Sequence, residues 1–152
     1  HWDEPAGLLA RALDAFKAGD KRPAGKPVVI LRLQKAADWR ETRLVLDITT
    51  DDMPFLVDSV TGALAEAGKQ VSFFCNAVVT VARDAKGQRQ NDGAPSTPES
   101  MIHAEMDPPV DDEEIARLQA EIEGVLADVA IAVGDFRAMV SRMRAAIDQL
   151  KA

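Results

Sequence analysis

The stretch TTDDMPFLVDSVTGALAEAG, residues 49–68, decides the fold because it joins a strand to a helix within a few residues. Asp51 or Asp52 is expected to cap the helix, since a carboxylate accepts hydrogen bonds from the free N–H groups of a first turn. Pro54 suits that turn because it lacks an N–H that would be unpaired there. An apolar stripe at helical spacing follows, and Gly68 fits the left-handed position after a helix end. We therefore predict a helix from Pro54 to the residue before Gly68.

Four strands are predicted on both sides of this stretch, the first from its β-branched residues and the others from alternating side chains. The strands cover residues 28–34, 42–50, 70–84 and 100–107. Residues 35–41 join the first two strands as a turn, which indicates an antiparallel hairpin. Residues 85–99 are rich in Gly, Pro, Ser and Asn, so we predict a long, mobile loop there.

Helices are predicted at both ends of the chain. Residues 3–18 carry apolar side chains at helical spacing. A long helical pattern follows the last strand, where Asp111 or Asp112 is expected to act as the cap. Gly134 and Asp135 are expected to interrupt this pattern, so that a separate last helix follows.

The order of the elements predicts an α+β fold, namely a two-layer ferredoxin-like sandwich with ββαββα order. Its sheet is expected to be four-stranded and of antiparallel type, with an N-terminal helix and a long C-terminal helical segment. The strands should follow the spatial order 28–34, 42–50, 100–107, 70–83. Three segments are expected: 1–26 as N-terminal helix and linker, 27–133 as the sandwich, and 134–152 as a C-terminal helix packing on it or extending from it.

The sheet face away from the crossover helix is expected to be too apolar to contact water. Five apolar side chains are placed on this face: Val28, Ile30, Val45, Phe74 and Val78. The first helix, the last helix or another subunit must then cover it. Val45, Phe74 and Val78 are therefore candidate interface residues, with a second copy or another domain as the partner.

The composition restricts the partners and the compartment. The formal net charge is −7, which argues against nucleic acid and against an anionic membrane surface, since both bind clustered Lys and Arg. No apolar run approaches the ~20 residues that a membrane span needs. The acidic N-terminus has no apolar signal segment and Cys75 is the single cysteine, so we expect a cytoplasmic protein. Cys75 itself is expected to be an inert thiol of the core.

Three pieces of the chain carry a resemblance: the run DDMPFLVDS from Asp51 to Ser59, the strand after it, and ESMIH from Glu99 to His103. Over residues 27–145 the chain resembles the N-terminal region of the large bacterial NAD-specific glutamate dehydrogenases. The resemblance implies an ACT-like domain that regulates or assembles an enzyme and does not itself catalyse. The full-length chain would oxidatively deaminate L-glutamate to 2-oxoglutarate in amino-acid catabolism. NAD would bind elsewhere, because this chain contains no Gly-x-Gly-x-x-Gly loop and is expected to hold no cofactor.

The resemblance also implies a ligand site at the strand-to-helix turn, where an amino acid would bind. Seven residues are the candidates: Asp51, Asp52, Met53, Pro54, Phe55, Leu56 and Val57. ACT domains typically carry a glycine where this chain has Phe55, and that glycine lets a ligand approach the backbone. Phe55 either closes a pocket or packs into a core or interface. The two aspartates either hold a ligand amine or cap the helix.

Three classes of function are compared, and the last of them is rejected. The chain is a regulatory ligand-binding module, a structural module that assembles subunits or domains, or a small enzyme such as an acyl phosphate hydrolase. The enzyme needs an anion-binding loop with an arginine, and the acids at the strand-to-helix turn oppose it. His103 has no neighbour at metal-ligand spacing, so a hydrogen-bonded strand histidine is expected rather than a base or ligand. We therefore predict no catalytic residue and no metal site.

Overall fold

The computed structural model describes residues 5–35, 42–91 and 95–151. Its elements are α1 (Pro5–Ala18), β1 (Val28–Gln34), β2 (Arg43–Asp51), α2 (Leu56–Glu66), β3 (Val71–Arg83), β4 (Arg89–Gln90), β5 (Ser96–Met106) and α3 (Asp112–Lys151). The predicted first helix is confirmed from Pro5 onward. Its first two expected residues, and residues 36–41 of the predicted turn, lie outside the described residues.

The sheet has five strands in the order β1-β2-β5-β3-β4, and every neighbouring pair is antiparallel. The α+β class, the antiparallel sheet and the order of the four long strands are confirmed. The predicted number of four strands is wrong, because the short β4 pairs with the end of β3 through Ala82↔Gln90 and Arg83↔Arg89. A two-residue strand is too short to produce an alternating sequence pattern.

The predicted loop over residues 85–99 is also wrong in part. The Asp84 carboxylate accepts a hydrogen bond from the Gln88 N–H at 2.9 Å, and Gly87 adopts φ 79, so the chain turns back at once. A left-handed φ of this kind favours glycine. Strand β5 already begins at Ser96, four residues earlier than its sequence pattern indicates.

The hydrophobic core lies between one sheet face and the helices α2 and α3. Its fully buried members include Leu44, Leu46, Ile48, Ile102 and Met106 from the sheet and Val60, Leu64 and Ile122 from the helices. These residues recur at a period of two along β2 and at helical spacing along α2, as two packed layers require. The predicted placement of both helices on one face is therefore confirmed.

A left-handed glycine ends α2, and a side-chain hydrogen bond begins α3. Gly68 adopts φ 71 just after α2, and the Lys69 N–H donates to the Leu64 carbonyl at 3.0 Å, which confirms the predicted helix end. Asp111 Oδ1 accepts a hydrogen bond from the Glu114 N–H at 2.8 Å. Of the two candidate caps for α3, Asp111 is therefore the one that acts.

Helix α3 runs for 40 residues without interruption, so the predicted break at Gly134 and Asp135 is wrong. A helical glycine costs only about 1 kcal/mol relative to alanine, which the packing of the preceding turns offsets. Val133 is the last buried residue among the helix side chains that the structure describes. The remaining turns extend past the sandwich.

The second sheet face lies under α1, which packs against β2 and β5. Val28, Ile30 and Val45 lie on this face as predicted, since they align with Thr49, Asp47 and Glu105 of the neighbouring strands. The expectation of an apolar face is nevertheless wrong. Its buried members include five polar or charged side chains, Asp47, Thr49, Glu99, His103 and Glu105. Ion pairs, rather than apolar packing alone, therefore hold this second layer.

Candidate functional site

The strand-to-helix turn has a different geometry from the expected cap. Phe55 immediately precedes α2 with φ 70, and no side chain caps the helix. The cap prediction for Asp51 and Asp52 is therefore wrong, and Pro54 lies in the turn before the helix rather than inside it. Phe55 is the one non-glycine residue with positive φ among residues 5–35, 42–91 and 95–151.

Phe55 has the left-handed backbone that favours glycine, the residue that the resemblance leads one to expect at this position. A left-handed conformation costs a residue with a side chain roughly 1–2 kcal/mol, whereas glycine adopts it freely. The Phe55 ring gains little packing in return, because the residue is 65% exposed. The alternative in which Phe55 packs into the core of this chain is therefore wrong.

A small depression of about 230 Å³ opens beside this turn. It is lined by Asp52, Met53, Phe55, Leu56, Val57 and Asp58 from the turn and by Asn76, Val78 and Ser100 from β3 and β5. Five of the seven predicted ligand-binding residues therefore lie around one open space. Asp51 and Pro54 do not line it.

Asp51 instead belongs to a cluster of ion pairs at the other side of the sheet. Its carboxylate accepts a hydrogen bond from Arg22 Nη2 at 2.5 Å, and the same nitrogen donates to Glu99 at 3.0 Å. Glu99 also binds Arg83, with Nε–Oε1 at 2.7 Å and Nη2–Oε2 at 2.8 Å. Burial on its own would raise the pKa of Glu99, but the hydrogen bonds from Arg83 and Arg22 outweigh it and lower the pKa. Asp51 is therefore engaged by Arg22 rather than placed at the depression.

The three candidate interface residues do not share a sheet face. Val45 lies under α1 and is completely buried within one chain. Phe74 and Val78 align with Ala104 and Ser100, so they lie on the α2 face, and Phe74 packs against the core. The prediction that groups them with Val45 is wrong. The residues of β3 that point to one sheet face and those that point to the other both include Phe and Val, so the sequence pattern does not show which residues face the core.

His103 is a buried, hydrogen-bonded strand histidine, which confirms the prediction. Its Nδ1 lies 2.6 Å from Asp47 Oδ1, and its Nε2 lies 3.4 Å from Glu105 Oε1. Arg11 of α1 also binds Glu105, at 2.5 Å. Burial on its own would lower the pKa of His103, but the hydrogen bonds to both carboxylates outweigh it and raise the pKa to about 9. The imidazole is thus a buried cation held between two acids.

Cys75 is exposed, so its prediction as a core thiol is wrong. It lies opposite His103 on β3, at a point where the strand has no cover on this side. Partial burial and the nearby carboxylates of Asp47 and Glu105 raise the pKa of the Cys75 thiol. The reactive thiolate form is therefore disfavoured at neutral pH.

The Arg22–Glu99–Arg83 cluster was not predicted from the sequence. Arg22 and Glu99 are 77 residues apart, and no local pattern joins them. One signal in the sequence could have indicated the cluster. Glu99 and Glu105 are acidic residues at positions of a strand that face inward, and a buried carboxylate needs a cationic partner.

Within the described part of the chain, no group of three or more His, Cys, Asp or Glu side chains is placed to hold a metal ion. No described helix is both long and apolar enough to cross a membrane.

Fold and site together define an α+β sandwich module with a small open depression at its strand-to-helix turn. The chain belongs to the ACT1 domain family of glutamate dehydrogenases, since the family model described as "Glutamate dehydrogenase, ACT1 domain" matches residues 2–122. The resemblance found in the sequence is thereby confirmed.

Two curated relatives are similar over most of this chain. The NAD-specific glutamate dehydrogenase of Halomonas elongata is 37% identical over 120 residues, which cover 75% of this chain and 7% of the relative. The NAD-specific glutamate dehydrogenase of Pseudomonas aeruginosa is 30% identical over 112 residues, covering 70% of this chain and 7% of the relative. The chain thus corresponds to a small domain of much longer oxidoreductases.

Proposed function

We propose that this chain is a non-catalytic module that assembles, and thereby regulates, a large NAD-specific glutamate dehydrogenase. In the full-length protein, other parts would bind NAD and oxidatively deaminate L-glutamate to 2-oxoglutarate in amino-acid catabolism. Family membership supports the view that the chain is part of such an enzyme.

The single observation that supports the assembly role is the free edge of β3.

Strand β3 is an edge strand over most of its length. Among the described residues, it pairs with β5 on one side and with β4 only at Ala82 and Arg83 on the other. Every second residue from Phe73 to Val81 therefore has its N–H and C=O groups open to a further strand on the outer side. An open edge of this kind is a template for pairing with another chain.

The side chains of this edge favour pairing instead of preventing it. No residue from Val71 to Ala82 carries a formal charge, and none is proline. Protected edges typically use Lys, Pro or bulges, and β3 has one irregularity, between Val71 and Phe73. The partner is accordingly an exposed strand edge, from a second copy or from another domain of the same enzyme.

Amino-acid binding is the second candidate, and the position of the depression favours it. Asn76 and Val78 line the depression and also belong to the free edge of β3. Its volume of about 230 Å³ is below the ~300–1,000 Å³ of typical small-molecule pockets, and one side is open. A strand added to β3 would close that side, so assembly and ligand binding would be coupled at one place.

Sedimentation of the 152-residue chain tests the assembly role. The wild-type chain is expected to form a dimer or larger species. Ala77→Lys is expected to be monomeric, because Ala77 is exposed in the middle of the edge and a charge there opposes pairing. Ala120→Lys places the same charge on an exposed part of α3 and should not change the mass.

Two results would contradict the assembly role. One is a wild-type monomer at every concentration, and the other is an oligomer that survives Ala77→Lys. Repeating the sedimentation with a panel of amino acids and dicarboxylates distinguishes amino-acid binding from assembly without a ligand. A monomer that associates only with one of these ligands would favour sensing over constitutive assembly.

A further inference from the structure

The apolar stripe of α3 does not end where the sandwich ends. Nine apolar residues follow one another at strictly alternating spacings of four and three: Ile122, Leu126, Val129, Val133, Phe136, Val140, Met143, Ile147 and Leu150. This is the repeat of positions d and a in a heptad, the pattern of helices that pack along a seam. It continues unchanged through Gly134.

The two halves of this stripe have different environments. The first four residues are buried against the sandwich. Beyond Val133, Phe136 is 58% exposed, Met143 56% and Leu150 88%. A helical segment that only contacts water does not require an apolar residue every 3.5 positions, whereas a seam for a second helix does.

The charges beside the exposed half identify the kind of helix that fits. Arg137 and Arg144 occupy the e positions, directly beside the seam. Neither forms an ion pair with a carboxylate of the described residues. The g positions on the other side carry Met139 and Ala146, so the seam has one basic border and one apolar border.

These borders disfavour a second copy of the same helix. In an antiparallel pair, e positions face each other, which would bring arginines of both copies together. In a parallel pair, e faces g of the partner, where this helix offers only Met139 and Ala146. A helix with acidic residues beside its apolar stripe matches the arginines in either orientation.

We propose that the exposed half of α3, residues 134–151, docks an amphipathic helix whose apolar stripe is bordered by acidic residues. The docking face consists of Phe136, Val140, Met143, Ile147 and Leu150 with Arg137 and Arg144 along one border. It is separate from the β3 edge, so this proposal does not depend on the proposed assembly role.

The test uses two synthetic peptides of about three heptads with Leu and Ile at a and d. One carries Glu at e and g, and the other carries Lys at these positions. The wild-type chain is expected to bind the Glu peptide in calorimetry, with a gain of helix in circular dichroism. Binding of the Lys peptide should be weaker by about fivefold or more, since two arginines lose their partners.

Variants then locate the contact. Met143→Glu should weaken binding of the Glu peptide by at least about tenfold, because it puts an acid into the seam. Ala145→Glu is the matched control on the opposite side of the same turn and should bind as the wild type does. The double change Arg137→Glu and Arg144→Glu should reverse the preference toward the Lys peptide.

Three outcomes overturn the proposal. The first is that neither peptide binds to the wild-type chain, and the second is that both bind equally. The third is self-association of the chain that Met143→Glu abolishes, which would identify a second copy as the occupant. Ala77→Lys should leave peptide binding unchanged, so a failure here is distinguishable from a failure of the assembly role.

Discussion

Phe55 combines an unusual backbone conformation with a position at the candidate site. Its backbone is left-handed with φ 70, its side chain is mostly exposed, and it borders the depression. Backbone strain that the packing of a residue does not offset is typical of functional positions. An exposed aromatic ring beside an open sheet edge is also a common anchor for a partner.

Phe55→Gly is expected to be more stable than Phe55→Ala by about 1 kcal/mol in the free energy of unfolding. Both variants remove the ring, and only glycine adopts the left-handed backbone without strain. Urea unfolding of the pair measures the difference. Equal stabilities, or a more stable alanine variant, would show that residue 55 is not left-handed in solution.

Residues of the site were predictable where they are adjacent in the sequence. The turn from Asp52 to Val57 was named as a site through the family resemblance, whose run DDMPFLVDS is one continuous stretch of sequence. Asn76 and Ser100 were missed because they reach the depression only through the pairing of β3 with β5. The capping role of Asp51 or Asp52 was wrong because α2 begins only at Leu56, with Phe55 at the cap position.

Elements were predictable in proportion to the length of their pattern. The long strands and α2 were predicted from the periodic spacing of their apolar residues. The end of α2 was predicted from Gly68, because glycine adopts a left-handed backbone freely. β4 was missed because its pairing depends on the turn at Asp84. The break at Gly134 was wrong because a single helical glycine lowers stability by only about 1 kcal/mol and does not by itself end a helix.

Gly134→Ala is expected to stabilise α3, because Gly134 is helical and a Cβ there would meet no atom within 4 Å. The free energy of local opening of residues 134–151 should rise by about 0.5–1 kcal/mol. Amide hydrogen exchange measures this opening directly. Faster exchange in the alanine variant would mean that Gly134 ends the helix after all, since alanine would then disfavour a left-handed residue.

At the scale of the whole molecule, two layers are held by different forces. The α2 and α3 layer is apolar, whereas α1 has no buried residue and is tied to the sheet through Arg11 and Glu105. Glu105 connects in turn to His103 and Asp47 in the middle of the sheet. The stability of the molecule should therefore depend on the charge of one imidazole.

The free energy of unfolding is expected to fall as pH rises from about 6.5 to about 9. The pKa of His103 is about 9 in the folded chain and 6.5 in its ordinary state, so its contribution is complete below about 6.5 and is lost as pH rises through about 9. The loss is at most about 3 kcal/mol. Urea unfolding across this range measures it, and His103→Gln serves as the control with a flat profile. A flat wild-type profile would mean that the imidazole is not a buried cation.

The continuity of α3 has a mechanical consequence. At 1.5 Å per residue, the part beyond Val133 reaches about 27 Å past the sandwich. A tilt of the buried part by about 5° therefore displaces the last turn by about 2 Å. Because the buried part of α3 packs against α2, a small rearrangement of α2 becomes a movement of about 2 Å at the last described turn of α3.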